Sequence, residues 1–285
     1  MRTSKELLLV ESRKQLREMM YKNLHRFPRW ETNCIFEPGE VDRLLRRRSL
    51  YAGQCRSGAY LLDDEGDYYR VHYFFSADEP VDFAAMDKSV LVEFFVTRAK
   101  RSAAIEEMMD KWRAIGFRDH VVDLKMHLSL KGYKLRPSWV ENDAGRFEGR
   151  LAAAQDAQQI LRLWDESLDH FNSAIPSLEE TLYEIGEGNV FVMDRDGEIC
   201  AANKMVIRGG MVSTWLGAVK PAYRRMGLST AMKQMIYKTA MERGIYACYT
   251  WVDRENMASR IVLEKLGFVF HGEWTEGLIL DPARE

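Results

Sequence analysis

Two hydrophobic periods alternate along the chain and separate predicted helices from predicted strands. "SAAIEEMMDKWRAIGF", residues 102–117, places its apolar side chains on one stripe at helical spacing and has Gly116 as a stop. "HVVDLKMHLSL", residues 120–130, alternates apolar and polar positions as a strand does. Because both patterns recur from one end of the chain to the other, the sequence predicts a mixed α/β fold.

The first half of the chain is predicted to contain a helix, a hairpin, a buried strand, a second helix and a further strand. The helix has its apolar stripe at Leu16, Met19, Met20 and Leu24. The hairpin runs from Tyr60 to Phe75 around an Asp/Gly turn. The strand "SVLVEFFVT", residues 89–97, is apolar enough to be buried on both faces.

The second half shows clearer start and stop signals. A short strand leads into a helix that begins near Asp156, and Ser177 with Glu180 forms a capping box for the next helix. A hairpin is predicted around residues 196–197. The remaining elements are strand 211–219, helix 229–244, strand 245–252, helix 256–267 and strand 268–274. This order predicts a mixed, mostly antiparallel sheet flanked by helices.

Composition bounds the class of protein without naming a function. At 285 residues and 46% hydrophobic, the chain is long enough for two modest domains. We place their boundary near "RPSWVENDAGRFEG", giving domains 1–147 and 148–285. A net charge of −2 gives no general attraction to nucleic acid or an anionic membrane.

The cysteines and the apolar segments indicate the compartment. The four cysteines are scattered and lack metal-ligand spacing, so we expect free thiols in a reducing compartment and no bound metal. They are Cys34, Cys55, Cys200 and Cys248. The first fifteen residues contain only a four-residue apolar run, and no apolar stretch approaches the ~18 residues of a membrane helix. We therefore expect a soluble, cytoplasmic protein without a membrane partner.

Small and basic residues directly precede one predicted helix, in "VKPAYRRMGLSTAM", residues 219–232. A strand ends at Val219 and the helix begins near Ser229. The first amides of a helix have no intrahelical partners, and the helix dipole favours an anion at that end. Gly227 lets the backbone approach a ligand closely. The stretch therefore predicts a diphosphate site built from main-chain N–H groups, although a basic turn without a ligand would have the same sequence.

Local charge supports the same interpretation. Arg224 and Arg225 lie in the stretch, and residues 220–243 contain six Lys and Arg against one acidic residue. Such an excess suits a ligand that carries a further phosphate.

The second half resembles the GNAT superfamily of acyl-CoA-dependent N-acetyltransferases over roughly residues 148–280. "RRMGLS", residues 224–229, fits the family's Arg/Gln-x-x-Gly-x-Gly/Ala signature, and "VKPAYR" precedes it as in many members. "DRENMASRIVLEKLGFVFHGEW", residues 253–274, is similar to the later motif, in which Asn opens a helix that ends in Leu-Gly-Phe. The order and spacing of these motifs also agree with the family.

The resemblance implies a GNAT-like fold and acetyl-CoA as co-substrate, lying in a V between the strands that end near residues 219 and 252. It implies that the backbone of Ala218 and Val219 faces the pantetheine arm and that Asn256, also a plausible plain N-cap, contacts the cofactor. It assigns the pyrophosphate to the loop and helix start: Arg224, Arg225, Met226, Gly227, Leu228, Ser229 and Thr230.

One position departs from the family pattern. Many members have a tyrosine four residues before the Leu-Gly-Phe glycine, where it protonates the leaving thiolate, and this chain has Leu263 there. Leu263 lies on an apolar stripe with Ser259, Val262 and Leu266, which predicts a core position. Tyr249 and Asp253 are then candidates for deprotonating the amine, although they also suit a sheet tyrosine and a loop carboxylate.

The acceptor is expected to be a small amine or amino-acid-like molecule. In this family the first two helices of the domain wall the acceptor side, and an acidic wall would attract a cationic amine. His170 and Phe171, in the segment between these helices, are candidate substrate contacts. The acidic residues are equally consistent with solvated helix faces; they are Asp165, Glu166, Asp169, Glu179, Glu180, Glu184 and Glu187.

The first half resembles a degenerate copy of the same fold, so a tandem of two GNAT-like domains is expected. "FVTRAKRSAAIEEM" is basic but lacks the signature glycine. The run from Arg43 to Ser49 could meet nucleic acid, but a solvated helix face explains it better, so a nucleic-acid partner is not favoured. The oligomeric state is left open.

Three functions compete on this sequence. The leading one is a tandem-domain acetyl-CoA N-acetyltransferase. A transferase using another activated donor, such as aminoacyl-tRNA, is disfavoured by the intact diphosphate signature. A non-catalytic acyl-CoA-binding or regulatory module is kept open by Leu263.

Overall fold

The computed structural model describes residues 7–36, 40–83, 86–97, 100–143, 145–171 and 173–282. The chain divides into two compact units, the first formed by residues 1–123 with 272–285 and the second by residues 124–271. The boundary predicted between residues 147 and 148 therefore falls inside the second unit.

The helices coincide with the predicted helical stripes, and a short helix covers most of the basic run 43–49, which was interpreted above as a helix face. Among the described residues they are α1 (Arg13–Leu24), α2 (Glu40–Arg47), α3 (Ala103–Ala114), α4 (Ala157–Ser167), α5 (Leu178–Gly186), α6 (Leu228–Glu242) and α7 (Met257–Lys265). None of these described helices has both the length and the apolar character needed to cross a membrane.

The strands include every predicted one and several that the sequence pattern missed. They are β1 (Leu8–Leu9), β2 (Trp30–Thr32), β3 (Leu50–Cys55), β4 (Gly58–Asp64), β5 (Tyr68–Ser76), β6 (Ser89–Val96), β7 (Arg118–Ser129), β8 (Val140–Asn142), β9 (Gly145–Leu151), β10 (Val190–Arg195), β11 (Glu198–Arg208), β12 (Met211–Val219), β13 (Ala247–Asp253) and β14 (Val269–Leu280). β1, β2, β3 and β8 were not predicted, because they are short or lack a clear alternation.

In the first unit, antiparallel pairs join β1, β3, β4 and β5 in that order. β5 then pairs in parallel with β6, over Tyr68–Val71, and β6 pairs antiparallel with the part of β14 from Trp274 onward. β2 pairs with the last residues of β5. The core of this unit is aromatic, because the fully buried Trp112 of α3 packs against Tyr73, Phe75 and Phe83.

The connection between the two parallel strands of the first unit contains no helix among its described residues, 77–83 and 86–88. The corresponding connection in the second unit, between β12 and β13, is α6. The segment before α3, which lacks the signature glycine, follows β6 and so does not connect the two parallel strands. The described residues of the first unit thus offer no helix start at the position where the second unit has one.

Within the second unit, the sheet contains β8, β9, β10, β11, β12 and β13 in that order; among the described pairs that join these six strands, β12 with β13 is parallel and the others are antiparallel. One hydrophobic cluster joins α6 to Met193, Met205 and Val212 of the sheet. A second joins α4 and α5 to Ile199 and Ala202. The helices therefore cover both faces of a mostly antiparallel sheet, which confirms the predicted fold class.

The predicted capping box of α5 is present. The Ser177 hydroxyl accepts a hydrogen bond from the Glu180 amide at 3.2 Å, and the Glu180 carboxylate accepts one from the Ser177 amide at 3.0 Å. Two otherwise unpaired donors are thereby satisfied at the start of a short helix.

Replacing Ser177 with alanine is expected to destabilise the protein by about 1 kcal/mol, because the cap to the Glu180 amide is lost. Ser177→Thr keeps the hydroxyl and should stay near the wild-type value. Urea unfolding of the two variants measures the difference. Equal stability of the alanine and threonine variants would contradict a role for the hydroxyl.

Candidate functional site

The start of α6 is built from main chain without a capping side chain. Gly227 occupies the N-cap position in the left-handed region, with φ 86° and ψ 0°. Its carbonyl accepts the first intrahelical hydrogen bond, from the Ala231 amide at 3.0 Å. The amides of the intervening residues 228–230 precede that bond, and no described side chain caps the helix. This end of α6 is therefore suited to an anion that accepts several N–H donors.

The loop before this helix start is basic, and its turn is held by side chains. Arg224 and Arg225 are exposed, and the Arg224 Nε donates to the Val219 carbonyl at 3.2 Å. Glu198 accepts from Lys220 Nζ at 2.7 Å and from the Tyr223 hydroxyl at 2.8 Å. The two arginines therefore contribute the exposed positive charge beside the α6 start, while the charge of Lys220 is paired.

The parallel strands beside this loop share only a short stretch of pairing. β12 pairs with β13 at Val212 with Cys248 and at Ser213 with Tyr249. Further along β12, the register with β11 shifts so that Asn203 stands opposite two residues, Leu216 and Gly217, and Leu216 has a φ of 51°. β12 thus carries a β-bulge beyond Ser213, its last residue paired with β13, and a bulge bends a strand away from its neighbour.

A buried amide lies against the bulge. Asn203 is 1% exposed, and neither its Oδ1 nor its Nδ2 has a hydrogen-bond partner among the described residues. A Cβ added to Gly217 would lie 2.9 Å from the Asn203 Nδ2. The absence of a side chain at 217 therefore leaves room for this amide beneath the exposed backbone of the bulge.

A buried cationic side chain, one of the six basic residues counted between positions 220 and 243, also lies near the point where β12 and β13 part. Lys233 of α6 is buried, and its Nζ donates to the Thr214 hydroxyl at 3.3 Å. The Thr214 hydroxyl donates in turn to that of Thr250 at 3.0 Å. Burial lowers the pKa of Lys233 to about 8, since the charged form is poorly solvated there.

This second unit matches a known family. Residues 157–268 match the family model described as Acetyltransferase (GNAT) family. These residues form a GNAT domain. A comparison with curated protein sequences gave no match.

Solved structures of GNAT proteins have the same fold over most of the chain. A GCN5-related N-acetyltransferase from Sphaerobacter thermophilus is 12% identical, with 82% of this chain and 76% of that chain covered and a TM-score of 0.57. A GCN5-related N-acetyltransferase from Kribbella flavida is 16% identical, with 95% of each chain covered and a TM-score of 0.52. A tandem GNAT protein from the clavulanic acid biosynthesis pathway is 13% identical, with 83% and 84% covered and a TM-score of 0.53.

The family and the fold support acyl-transfer activity in general, and GNAT proteins generally use acetyl-CoA. Among the described residues, no group of three or more His, Cys, Asp or Glu side chains is arranged to hold a metal ion.

The later motif of the GNAT domain has the local structure that its sequence predicts. Asn256 caps α7, with its Oδ1 accepting from the Ser259 amide at 3.1 Å, and its side chain is exposed. Leu263 is 3% exposed and packs in the core with Leu266. The core interpretation of Leu263 is thus confirmed, and the position of the usual tyrosine faces the interior of the domain.

The two candidate bases of the GNAT domain differ in environment. Tyr249 of β13 is buried, and the Lys125 Nζ lies 5.2 Å from the centroid of its ring. The Asp253 carboxylate accepts from the Glu255 amide at 2.9 Å and so stabilises the turn before α7. Both residues lie on β13 past Cys248, the first residue that pairs with β12.

On the side of α4 and α5, some of the predicted acidic wall is already engaged. His170 lies 3.3 Å from the Asp165 carboxylate, and Phe171 donates its amide to Asp169 at 3.0 Å. Glu184 binds Lys204 at 2.6 Å, and Glu180 belongs to the capping box. The exposed remainder of the wall comprises Glu166, Glu179 and Glu187.

Proposed function

We propose that the GNAT domain transfers the acetyl group of acetyl-CoA to the primary amine of a small, amino-acid-like acceptor, by direct transfer in a ternary complex. The observation that carries the proposal is the uncapped start of α6 at Gly227, next to the strand pair that parts beyond Tyr249. A diphosphate and a thioester arm need both features in one place.

The residues fit this co-substrate. The pyrophosphate would accept hydrogen bonds from the main chain of residues 225–230, with Arg224 and Arg225 supplying positive charge. Ala218 and Val219, on the bulged end of β12, would face the pantetheine arm, and Asn256 would contact the cofactor near its bend. The bulge at Leu216 and Gly217 supports this assignment, because it turns main-chain groups of β12 away from the ladder.

A cationic acceptor must lose two protons, one before its nitrogen attacks and one as the amide forms; one proton reaches the sulfur and the other is released to solvent. The amine nitrogen attacks the thioester carbonyl carbon, the C–S bond breaks, and CoA leaves as the thiol. Tyr249 or Asp253 would take the proton of the amine, directly or through water. His170, Phe171 and the exposed acidic residues of α4 and α5 would orient a cationic acceptor.

A second candidate function is a non-catalytic acyl-CoA-binding module. The burial of Leu263 favours it, because the position that holds the general acid in many GNAT enzymes carries a core leucine here.

Release of the CoA thiol from acetyl-CoA in the presence of a panel of amines tests both functions, with calorimetry of CoA binding in parallel. The enzyme is expected to release thiol with a cationic small-molecule amine. Tight binding without thiol release from any acceptor would favour the binding module. Absence of binding heat would overturn both functions.

A further inference from the structure

Lys233 and two threonines form a directed chain of hydrogen bonds at the point where β12 and β13 part. The Lys233 Nζ donates to Thr214, Thr214 donates to Thr250, and the Thr250 hydroxyl donates to the Thr214 carbonyl at 3.2 Å. Thr214 and Thr250 directly follow Ser213 and Tyr249, the last residues of the two strands that pair through the backbone. Side chains thus continue the contact between the strands where the ladder stops.

Among the described residues, no acidic side chain interacts with the charge of Lys233. The titratable side chain on β13 that interacts with Lys233 is the Cys248 thiol, whose pKa is raised to about 12 by burial, so it stays neutral. The hydrophobic cluster around α6 includes Phe147, Phe191, Met193, Met205 and Val212 of β9 to β12, and the Thr214 hydroxyl accepts from Lys233. An amine placed here is tolerated only through its hydrogen bond, so its presence calls for a reason other than stability.

We infer that Thr250 donates a proton to the departing CoA sulfur and that Lys233, acting through Thr214, reprotonates Thr250. This inference rests on the proposed function and fills the role left open by Leu263. As the N–C bond forms and the C–S bond breaks, the Thr250 hydroxyl proton goes to sulfur. Thr214 passes its proton to Thr250, and Lys233 passes one to Thr214. Neutral Lys233 regains a proton from the one that the acceptor amine sheds to solvent.

The acidity of Lys233 suits this task. Its pKa of about 8 lies near the ~8.5 of a free thiol, so transfer to the leaving sulfur is nearly balanced. An ordinary lysine, at ~10.4, would be a much weaker acid. General acid catalysis is most effective when the pKa of the donor lies near the working pH.

Three variants test this proton relay from Lys233 through Thr214 to Thr250 in the full-length protein, with acetyl-CoA and the amine found active in the thiol-release panel. Thr250→Val removes the hydroxyl at nearly constant volume and should lower kcat roughly 10- to 100-fold, with KM for acetyl-CoA little changed. Thr250→Ser should restore most of kcat. Because the pKa of Lys233 is about 8, kcat of the wild type should decline above about pH 8; Lys233→Met should lower kcat similarly and lack this decline.

The free energy of unfolding, measured against pH, shows whether the domain of Lys233→Met is folded and whether the titrating amine of Lys233 has been removed. The pKa of Lys233 is lowered on folding, from 10.5 to about 8, so the unfolded chain binds more protons between these values. Wild-type stability should therefore gain a contribution as pH rises through that window, and Lys233→Met should lack it.

Each outcome separates the relay from the proposed function. Suppose that the wild type is active. The relay alone is then overturned if kcat of Lys233→Met still declines above pH 8, or if Thr250→Val is as active as Thr250→Ser. If Lys233→Met changes only KM for acetyl-CoA, by raising it, the relay is also overturned. The hydrogen bonds of Lys233, Thr214 and Thr250 would then serve to hold the two strands together. A wild type that releases no thiol would instead remove the proposed function.

Discussion

Replacing Gly227 with alanine is expected to weaken acetyl-CoA binding at least about tenfold. The N-cap of α6 has φ 86°, a conformation that costs an alanine roughly 1–2 kcal/mol. No collision is involved, since the added Cβ would meet its nearest atom, in Val140, at 3.9 Å. The strain is relieved by turning the peptide units of residues 226–228, which moves the amides proposed to hold the diphosphate.

Gly244 provides a matched control at the other end of the same helix. It has φ 74°, and a Cβ there would meet nothing within 4 Å. Gly244→Ala should therefore lower stability by about the same 1–2 kcal/mol as Gly227→Ala. Calorimetric titration of both variants with CoA distinguishes the two ends, because only Gly227→Ala should lose affinity. Equal affinities in the two variants would remove the α6 start from the binding site.

Truncating Trp112 to alanine is expected to destabilise the first unit by about 3–5 kcal/mol. The indole is fully buried among aromatic rings, with centroid distances of 4.7 Å to Phe117, 5.4 Å to Phe83 and 5.6 Å to both Tyr73 and Phe75. Its Nε1 has no hydrogen-bond partner among the described residues, so the loss comes from packing. Such a cavity cannot close without moving several large rings.

Trp30→Ala is the control, because Trp30 lies on a short strand of the same unit and is 43% exposed. A surface truncation of this kind should change stability by about 0.5 kcal/mol or less. Urea unfolding followed by circular dichroism measures both variants. A loss below about 1 kcal/mol for Trp112→Ala would show that the aromatic cluster is not the core of the unit.

The first unit resembles the GNAT domain in the order of its strands but not at the position that matters for the co-substrate. Its parallel strands β5 and β6 are joined by residues 77–88, whose described part has no helix. A diphosphate bound through helix-terminal amides has no counterpart there. This agrees with the expected degenerate copy. The missing helix start belongs to the connection between β5 and β6, which precedes the β6–α3 segment where the signature was expected.

Local signals in the sequence were enough to predict most helices, the main hairpins and the glycine-led start of α6. The capping box of Ser177, the Asn256 cap and the glycine at 227 each act through neighbours within three or four residues, so their pattern is legible without the fold. The apolar stripe of α7 likewise assigned Leu263 to the core correctly.

Tertiary structure decided where two strands part and which polar groups are buried at that point. Thr214 and Thr250 are separated by 36 residues and meet only because β12 and β13 are neighbours. Lys233 looks like a solvated charge in an amphipathic helix, yet α6 is buried around more of its circumference than one stripe. Burial and pairing between distant residues depend on the packed sheet, and no short-range pattern encodes them.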